Sequence, residues 1–264
     1  MSDFRLNLAQ FSMGFLELLP SEHVALRGSG TLVRLGSISG ILTAAHVWHE
    51  VRKHPRIGIY LYPVRKQEFH AITEHTSLLS AIEFTGDFDD GLGPDLAFIR
   101  LSAQKAAEIE THSVFLNLTK NEERSQVVPP SGTTYVDAIA GGVEEMGQQV
   151  STQGDRKAVI QGALLNMGRA AEIVDGREAF DRLEFTAKPD EDFVLPSSYG
   201  GMSGGGCFRI FFQESDKSIM HKLLGVAFFQ TLLDGKADKI ICHGPRSIQE
   251  KLLPALRERW PEDA

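Results

Sequence analysis

The chain has 264 residues, a net charge of −8, 42% hydrophobic residues and 23% charged ones. That length can bury a sizeable core, and the composition is that of an ordinary globular protein. The acidic balance removes the electrostatic reason to expect nucleic acid or an anionic membrane as partner, and two cysteines, Cys207 and Cys242, are too few for a disulfide scaffold.

The first stretch, MSDFRLNLAQFSMGFLELL, has acids and polar residues where a secretory signal needs an apolar core behind a basic front. No segment reaches the length of a membrane span, so the expectation is a cytoplasmic protein with reduced thiols. The role of residues 1–24 is left open. Short apolar runs then read as strands: GTLVRL (30–35), SGILTAA (39–45), RIGIYLY (56–62), DLAFIRL (95–101), YVDAIAGGV (135–143), RLEFTA (182–187), GCFRIFF (206–212) and KLLGVAFFQ (222–230). VDGR (174–177) is a hairpin-turn signal. SAQKAAEIE (102–110) has a helical pattern. So does the C-terminus, where Ile248, Leu252, Leu256 and Trp260 form one stripe that Pro254 kinks or splits. The least apolar segment, LTKNEERSQVVPPSG (118–132), divides the chain into two strand-rich halves. Two β halves with a terminal helix suggest paired barrels, although composition alone does not tell barrels from a sandwich.

The stretch YGGMSGGGCF (199–208) sets Ser203 among glycines and then enters a strand. A nucleophilic serine needs an exposed Oγ and backbone N–H groups converging on the oxyanion it creates, and glycines at 201, 204 and 205 allow the sharp turn this requires. The bland alternative is a Gly-rich turn with a bystander serine. G-x-S-x-G also marks the elbow of α/β-hydrolases, but there the acid and histidine follow the serine, and the elbow runs into a helix. Here the histidines that follow are His221 and His243, His243 comes only a few residues after Asp234 and Asp238, and GCFRIFF reads as a strand. The order His, Asp, Ser fits: GILTAAHVW ends a strand at His46 and GPDLAFIRL begins one at Asp95. Taken singly, His46 could be a buried structural histidine and Asp95 a turn cap.

GSGTLV, LTAAH, DLAFIRL, GMSGGG and LLGVAFF follow one another in order. In these motifs, over residues 25–250, the chain resembles the chymotrypsin-like (trypsin-like) serine peptidases. The resemblance implies an all-β fold, a double six-stranded antiparallel β-barrel with a C-terminal helix. The first barrel would lie within 1–117 and the second within 133–244, joined by the connector 118–132 and followed by a helix in 245–264. It implies a catalytic triad of His46, Asp95 and Ser203 and an oxyanion hole from the N–H groups of Gly201 and Ser203. It places Ser197 and Ser198 at the base of the substrate pocket and Ala227, Phe228, Phe229 and Gln230 on the strand that pairs with substrate. Without a carboxylate at the pocket base, a neutral or apolar side chain is expected there, with Gln230 narrowing the mouth.

Many secreted members carry an aspartate just before the serine, which pairs with the N-terminus freed by processing. Met202 stands there instead, so that switch is missing and control by a protein partner, or constitutive competence, is implied. The expected partners are a protein or peptide substrate and a regulatory protein, with no metal or cofactor. The alternatives are a catalytically silent interaction module on a protease scaffold, or an esterase. Cys207 and Cys242 read as small buried apolar residues.

Three further motifs carry weaker signals. HVWHE (46–50) groups two histidines and a glutamate but matches no zinc signature. GDFDDG (86–91) resembles part of a calcium loop, with its glycine one place early and the closing glutamate missing. VRKHPR (51–56) reads as a solvated basic loop.

Overall fold

A computed structural model of the chain describes residues 8–18, 24–62, 70–86, 93–125, 133–146, 148–151, 158–161, 163–173, 180–188, 195–213 and 219–261. The VDGR turn and most of GDFDDG lie outside these residues. Each strand-reading apolar run falls in a strand, because alternating or continuous apolar residues can be buried on a sheet face.

The first half forms β1 (Ser12–Leu18), β2 (Val24–Leu35), β3 (Ile38–Thr43), β4 (Arg56–Leu61), β5 (His70–His75), β6 (Ser80–Thr85) and β7 (Asp95–Arg100). They join in the order β5-β4-β1-β2-β3-β7-β6 with antiparallel neighbours, and the short β8 (Leu116–Asn117) lies parallel to β2. Where a closed six-stranded barrel is expected, the described residues show a half-barrel sheet. The first residues, unassigned by pattern, supply β1, which pairs with both β2 and β4. Among the described residues the seven-stranded path stays open, with β5 and β6 at its edges.

The second half closes as expected. Strands β9 (Thr133–Gly142), β12 (Ala163–Ile173), β13 (Arg182–Ala187), β14 (Gly206–Gln213), β15 (Ile219–Leu233) and β16 (Lys236–His243) form an antiparallel barrel in the order β12-β13-β16-β15-β14-β9. Strands β10 (Gln148–Ser151) and β11 (Ala158–Gln161) pair only with each other.

Helix α1 (Ala45–Val51) follows β3, and α2 (Ala103–Glu110) starts at a Ser102 cap whose hydroxyl accepts from Lys105 N at 3.2 Å. The segment 118–132, read as a connector, opens with helix α3 (Leu118–Ser125). Asn121 ties α3 to β15 through the N–H (2.8 Å) and carbonyl (3.2 Å) of Leu223. The C-terminal helix splits as Pro254 requires: α4 (Ser247–Leu252) is π-helical and α5 (Leu253–Arg259) is α-helical, with the proline in its first turn where no N–H is needed.

Ile248, Leu252, Leu253 and Leu256 are buried in one cluster with Val33, Leu42 and Phe98 of the first sheet and Ala138, Phe208 and Val226 of the barrel. The terminal helix therefore seals the seam between the halves. Truncating a fully buried phenylalanine such as Phe98 or Phe208 removes about 3–5 kcal/mol of stability. Among the described residues, no helix is long and apolar enough to cross a membrane.

Candidate active site

Strand register brings the first two candidates together. β3 pairs with β7 so that Thr43 faces Ala97, which carries the chain beyond Thr43 past Asp95. There α1 begins. Ala44 at its N-cap offers no side-chain acceptor, so the N–H groups of the first turn need acceptors from elsewhere. Asp95 Oδ1 takes the His46 N–H at 2.8 Å, while Oδ2 lies 2.5 Å from His46 Nδ1. One carboxylate thus fixes both the backbone and the ring of His46. A carboxylate at Nδ1 assigns that nitrogen the proton and leaves Nε2 with its lone pair. Burial raises the Asp95 pKa, but hydrogen bonds from the ring and N–H of His46 and its charge outweigh this and hold it below the ordinary carboxylate range.

α1 is held from its other side by Glu83 on β6. That carboxylate accepts from Trp48 Nε1 (3.1 Å) and Arg52 (2.7 Å) and lies 2.6 Å from His49 Nε2. The two histidines of HVWHE therefore turn to different carboxylates. In VRKHPR, Arg52 meets Glu83, Lys53 meets Glu50 and His54 meets Glu17.

The Ser203 loop is two successive turns. Met202 N donates to Tyr199 O at 2.9 Å, and Gly205 N to Met202 O at 2.8 Å. The third residues of the turns are Gly201 (φ +89°) and Gly204 (φ +92°), the positive-φ signature of type II turns. A β-carbon at Gly204 would also lie 1.9 Å from Ser29 O. In the first turn Gly200 O accepts from Glu144 N at 2.8 Å, which points the Gly201 N–H the opposite way. In the second, Ser203 O accepts from Ser29 N and Gly204 N donates to Ala227 O, each at 2.7 Å. Neither Gly201 N nor Ser203 N donates to another described group.

Ser203 is half-buried, and its hydroxyl lies 3.5 Å from Phe228 O, at the long limit of a hydrogen bond. Among the described residues this hydroxyl is directed to Phe228 and makes no hydrogen bond to His46. The two are nonetheless joined through neighbours. Ser203 binds Ser29, and at Gly28, next to Ser29, a β-carbon would sit 2.5 Å from Val47, the residue after His46.

Pattern reading missed His243, at the end of β16. Its buried Nε2 accepts the Asp95 N–H at 3.0 Å, and its ring stacks on Phe228 with centroids 4.3 Å apart. Phe228 is free to do this because β15 pairs Ala227 and Phe229 with consecutive residues of β16 and bulges between them. A chain of contacts results, running from His46 through Asp95, His243 and Phe228 to Ser203. Burial, partly offset by the nearby charges of Asp95 and Asp181, pushes the His243 pKa down from its ordinary 6.5 to about 4. Between those values the unfolded chain binds a proton that the folded chain refuses, so unfolding free energy rises with pH and is lost on acidification. The loss approaches about 3 kcal/mol at full titration. The lowered Asp95 carboxyl acts in the same direction at more acid pH. Urea unfolding at a series of pH values is expected to show a slope between pH 6.5 and 4 that is absent in His243→Gln.

Beside Ser203 opens a cavity of about 180 Å³, lined by Tyr199, Gly200, Met202, Ser203, Ala227, Phe228, Phe229, Gln230 and Ile240. Ser197 and Ser198 stand outside this lining, contrary to their expected place at its base. Glu145 draws them aside, accepting from Ser197 Oγ (2.7 Å), Ser197 N (3.2 Å) and Ser198 N (3.0 Å). These bonds hold the exposed Glu145 carboxyl below its ordinary pKa. Gln230 braces the cavity, accepting from Tyr199 N at 2.6 Å and donating to Ser198 Oγ at 3.2 Å. The lining residues are apolar apart from Ser203, Gln230 and Tyr199, and none is charged. Toward β14, β15 pairs only as far as Val226, so among the described residues the edge of β15 opposite β16 is unpaired from Phe229 onward. Cys207 and Cys242 are buried beside each other, and the Cys207 thiol is held well above its ordinary pKa by its contact with Cys242 and by burial. Comparison with protein-family models finds no match for this chain, and comparison with curated proteins finds none.

Proposed function

We propose that the protein is a serine endopeptidase of the chymotrypsin-like class. The observation that carries this reading is the pair of type II turns, which leaves the Gly201 and Ser203 amides unengaged beside the Ser203 hydroxyl. The first sheet supplies a histidine, His46, whose Nδ1 is held by a carboxylate.

In the proposed reaction the Ser203 hydroxyl swings from Phe228 O to His46 Nε2. Such bonds are often long before substrate arrives. His46 takes the proton as Ser203 Oγ bonds to the peptide carbonyl carbon. The carbonyl oxygen becomes an oxyanion and receives the two free amides. His46 then gives the proton to the leaving amine as the C–N bond breaks, and water repeats the sequence on the acyl-enzyme. Asp95 keeps Nδ1 protonated and stabilises the imidazolium. The substrate backbone adds to the open edge of β15, and an apolar side chain enters the cavity above Ile240. Buried Met202 supplies no charge for an N-terminal switch, so control falls to a regulatory partner or to none.

The second reading, a silent interaction module, is favoured by the Ser203 hydroxyl bonding Phe228 and not His46. A fluorophosphonate probe separates the two. Labelling of the wild type that disappears in Ser203→Ala is the expected result. A wild type that stays unlabelled and leaves a diverse peptide library uncut overturns the enzyme reading. The same library should show cleavage after apolar residues, and cleavage confined to Arg or Lys would sink the pocket assignment. Matched ester and peptide substrates tell an esterase from a peptidase.

A further inference from the structure

We propose that Ser29, on the opposite sheet from the nucleophile, is the positioning residue that sets the oxyanion-binding amides. This rests on the reading of Ser203 as the nucleophile. Ser29 lies in β2 within the GSGTLV motif and has no solvent exposure. All of its polar groups are engaged. Its Oγ donates to Gly201 O and accepts from Gly142 N, both at 2.7 Å. Its N–H donates to Ser203 O at 2.7 Å, and its carbonyl accepts from Thr43 Oγ1 at 2.7 Å.

The two carbonyls Ser29 holds belong to the two residues whose amides face the oxyanion. Fixing Gly201 O locks the peptide leaving Gly201, and fixing Ser203 O locks the peptide leaving Ser203. Glu144 N already holds the peptide entering Gly201 through Gly200 O. With both sides of Gly201 pinned, its N–H has one direction available. Gly142 N supplies the complement: it gives the Ser29 hydroxyl a donor, so the proton of that hydroxyl is committed to Gly201 O. Ser29 is fully buried, and a hydrogen bond in such a low-dielectric surrounding is strengthened. Preorganised donors act because they need no reorientation when the oxyanion forms. Ser29 supplies that rigidity without touching substrate.

The test compares Ser29→Ala with wild type and with Ile57→Val, a buried β4 change far from the loop that controls for mild destabilisation. Three quantities are read well below each variant's Tm: kcat, KM, and the affinity of a peptide aldehyde whose hemiacetal oxygen occupies the oxyanion position. Ser29→Ala is expected to lower kcat by roughly 10- to 100-fold, to weaken the aldehyde by a similar factor, and to leave KM within about threefold. Ile57→Val should change none of these. An unchanged kcat in Ser29→Ala, or a loss confined to KM, overturns the inference. If the alanine variant does not fold, Ser29→Cys keeps the volume with a weaker donor and must lower kcat and aldehyde affinity together. Its failure to do so overturns the inference equally. A wild type that neither turns over peptides nor takes the fluorophosphonate fails at Ser203, and the role of Ser29 falls with it. A labelled, active wild type with an unaffected Ser29→Ala fails at Ser29 alone.

Discussion

Ser203→Ala is expected to lower kcat by roughly 10⁵–10⁶-fold while leaving KM and the unfolding transition nearly unchanged. The hydroxyl is the only group lost, and it makes a single long contact to Phe228 O, so folding has little stake in it. The turns around it depend on Gly201, Gly204 and Ser29, all retained. His46→Ala should cost about as much, and the double variant little more than either, because the two groups act as one unit. Single-turnover hydrolysis of an apolar peptide, with circular dichroism as the folding check, measures this. A Ser203→Ala protein that keeps more than about a hundredth of wild-type kcat would move the nucleophile elsewhere.

Asp95→Asn should lower kcat by about 10⁴-fold. The reason lies in the two bonds of this side chain. Asp95 accepts from the His46 N–H and from Nδ1, and asparagine has one acceptor oxygen where aspartate has two. The backbone N–H cannot change role, so the amide oxygen stays with it and the NH₂ faces Nδ1. That nitrogen must then carry the lone pair and Nε2 the proton, which leaves His46 unable to accept from Ser203. Nitrogen chemical shifts of the ring should report the reversed tautomer. A variant with wild-type kcat, or with unaltered ring shifts, refutes the assignment.

Much of the site could be read directly from the residues, and the reason is local. DLAFIRL and RLEFTA are strands because their apolar residues bury, and the structure begins β7 and β13 where those motifs begin. The glycines of GMSGGG were legible because positive φ at Gly201 and Gly204 is a demand of the backbone itself. What escaped depends on distant partners. Strand β1 carries Gly14 and Glu17 among its apolar residues and exists through its pairing with β2 and β4. Helix α1 is too short for a periodic pattern and starts on an acceptor from another strand. Ser197 and Ser198 bond Glu145, a partner more than fifty positions away that no local pattern encodes. Ser29 and His243 carry no local pattern that marks them. Their roles appear only when the two halves meet.

The bonds that shape the serine loop join parts of the chain made far apart in time. Ser29 to Gly201 spans 172 positions, and Asp95 to His243 spans 148. Contacts of such separation form late, after the loops between them have closed. A ribosome delivers this polypeptide from its amino end, so the half bearing His46 and Asp95 emerges before Ser203. The bonds that shape the Ser203 loop are therefore complete only once translation has passed His243.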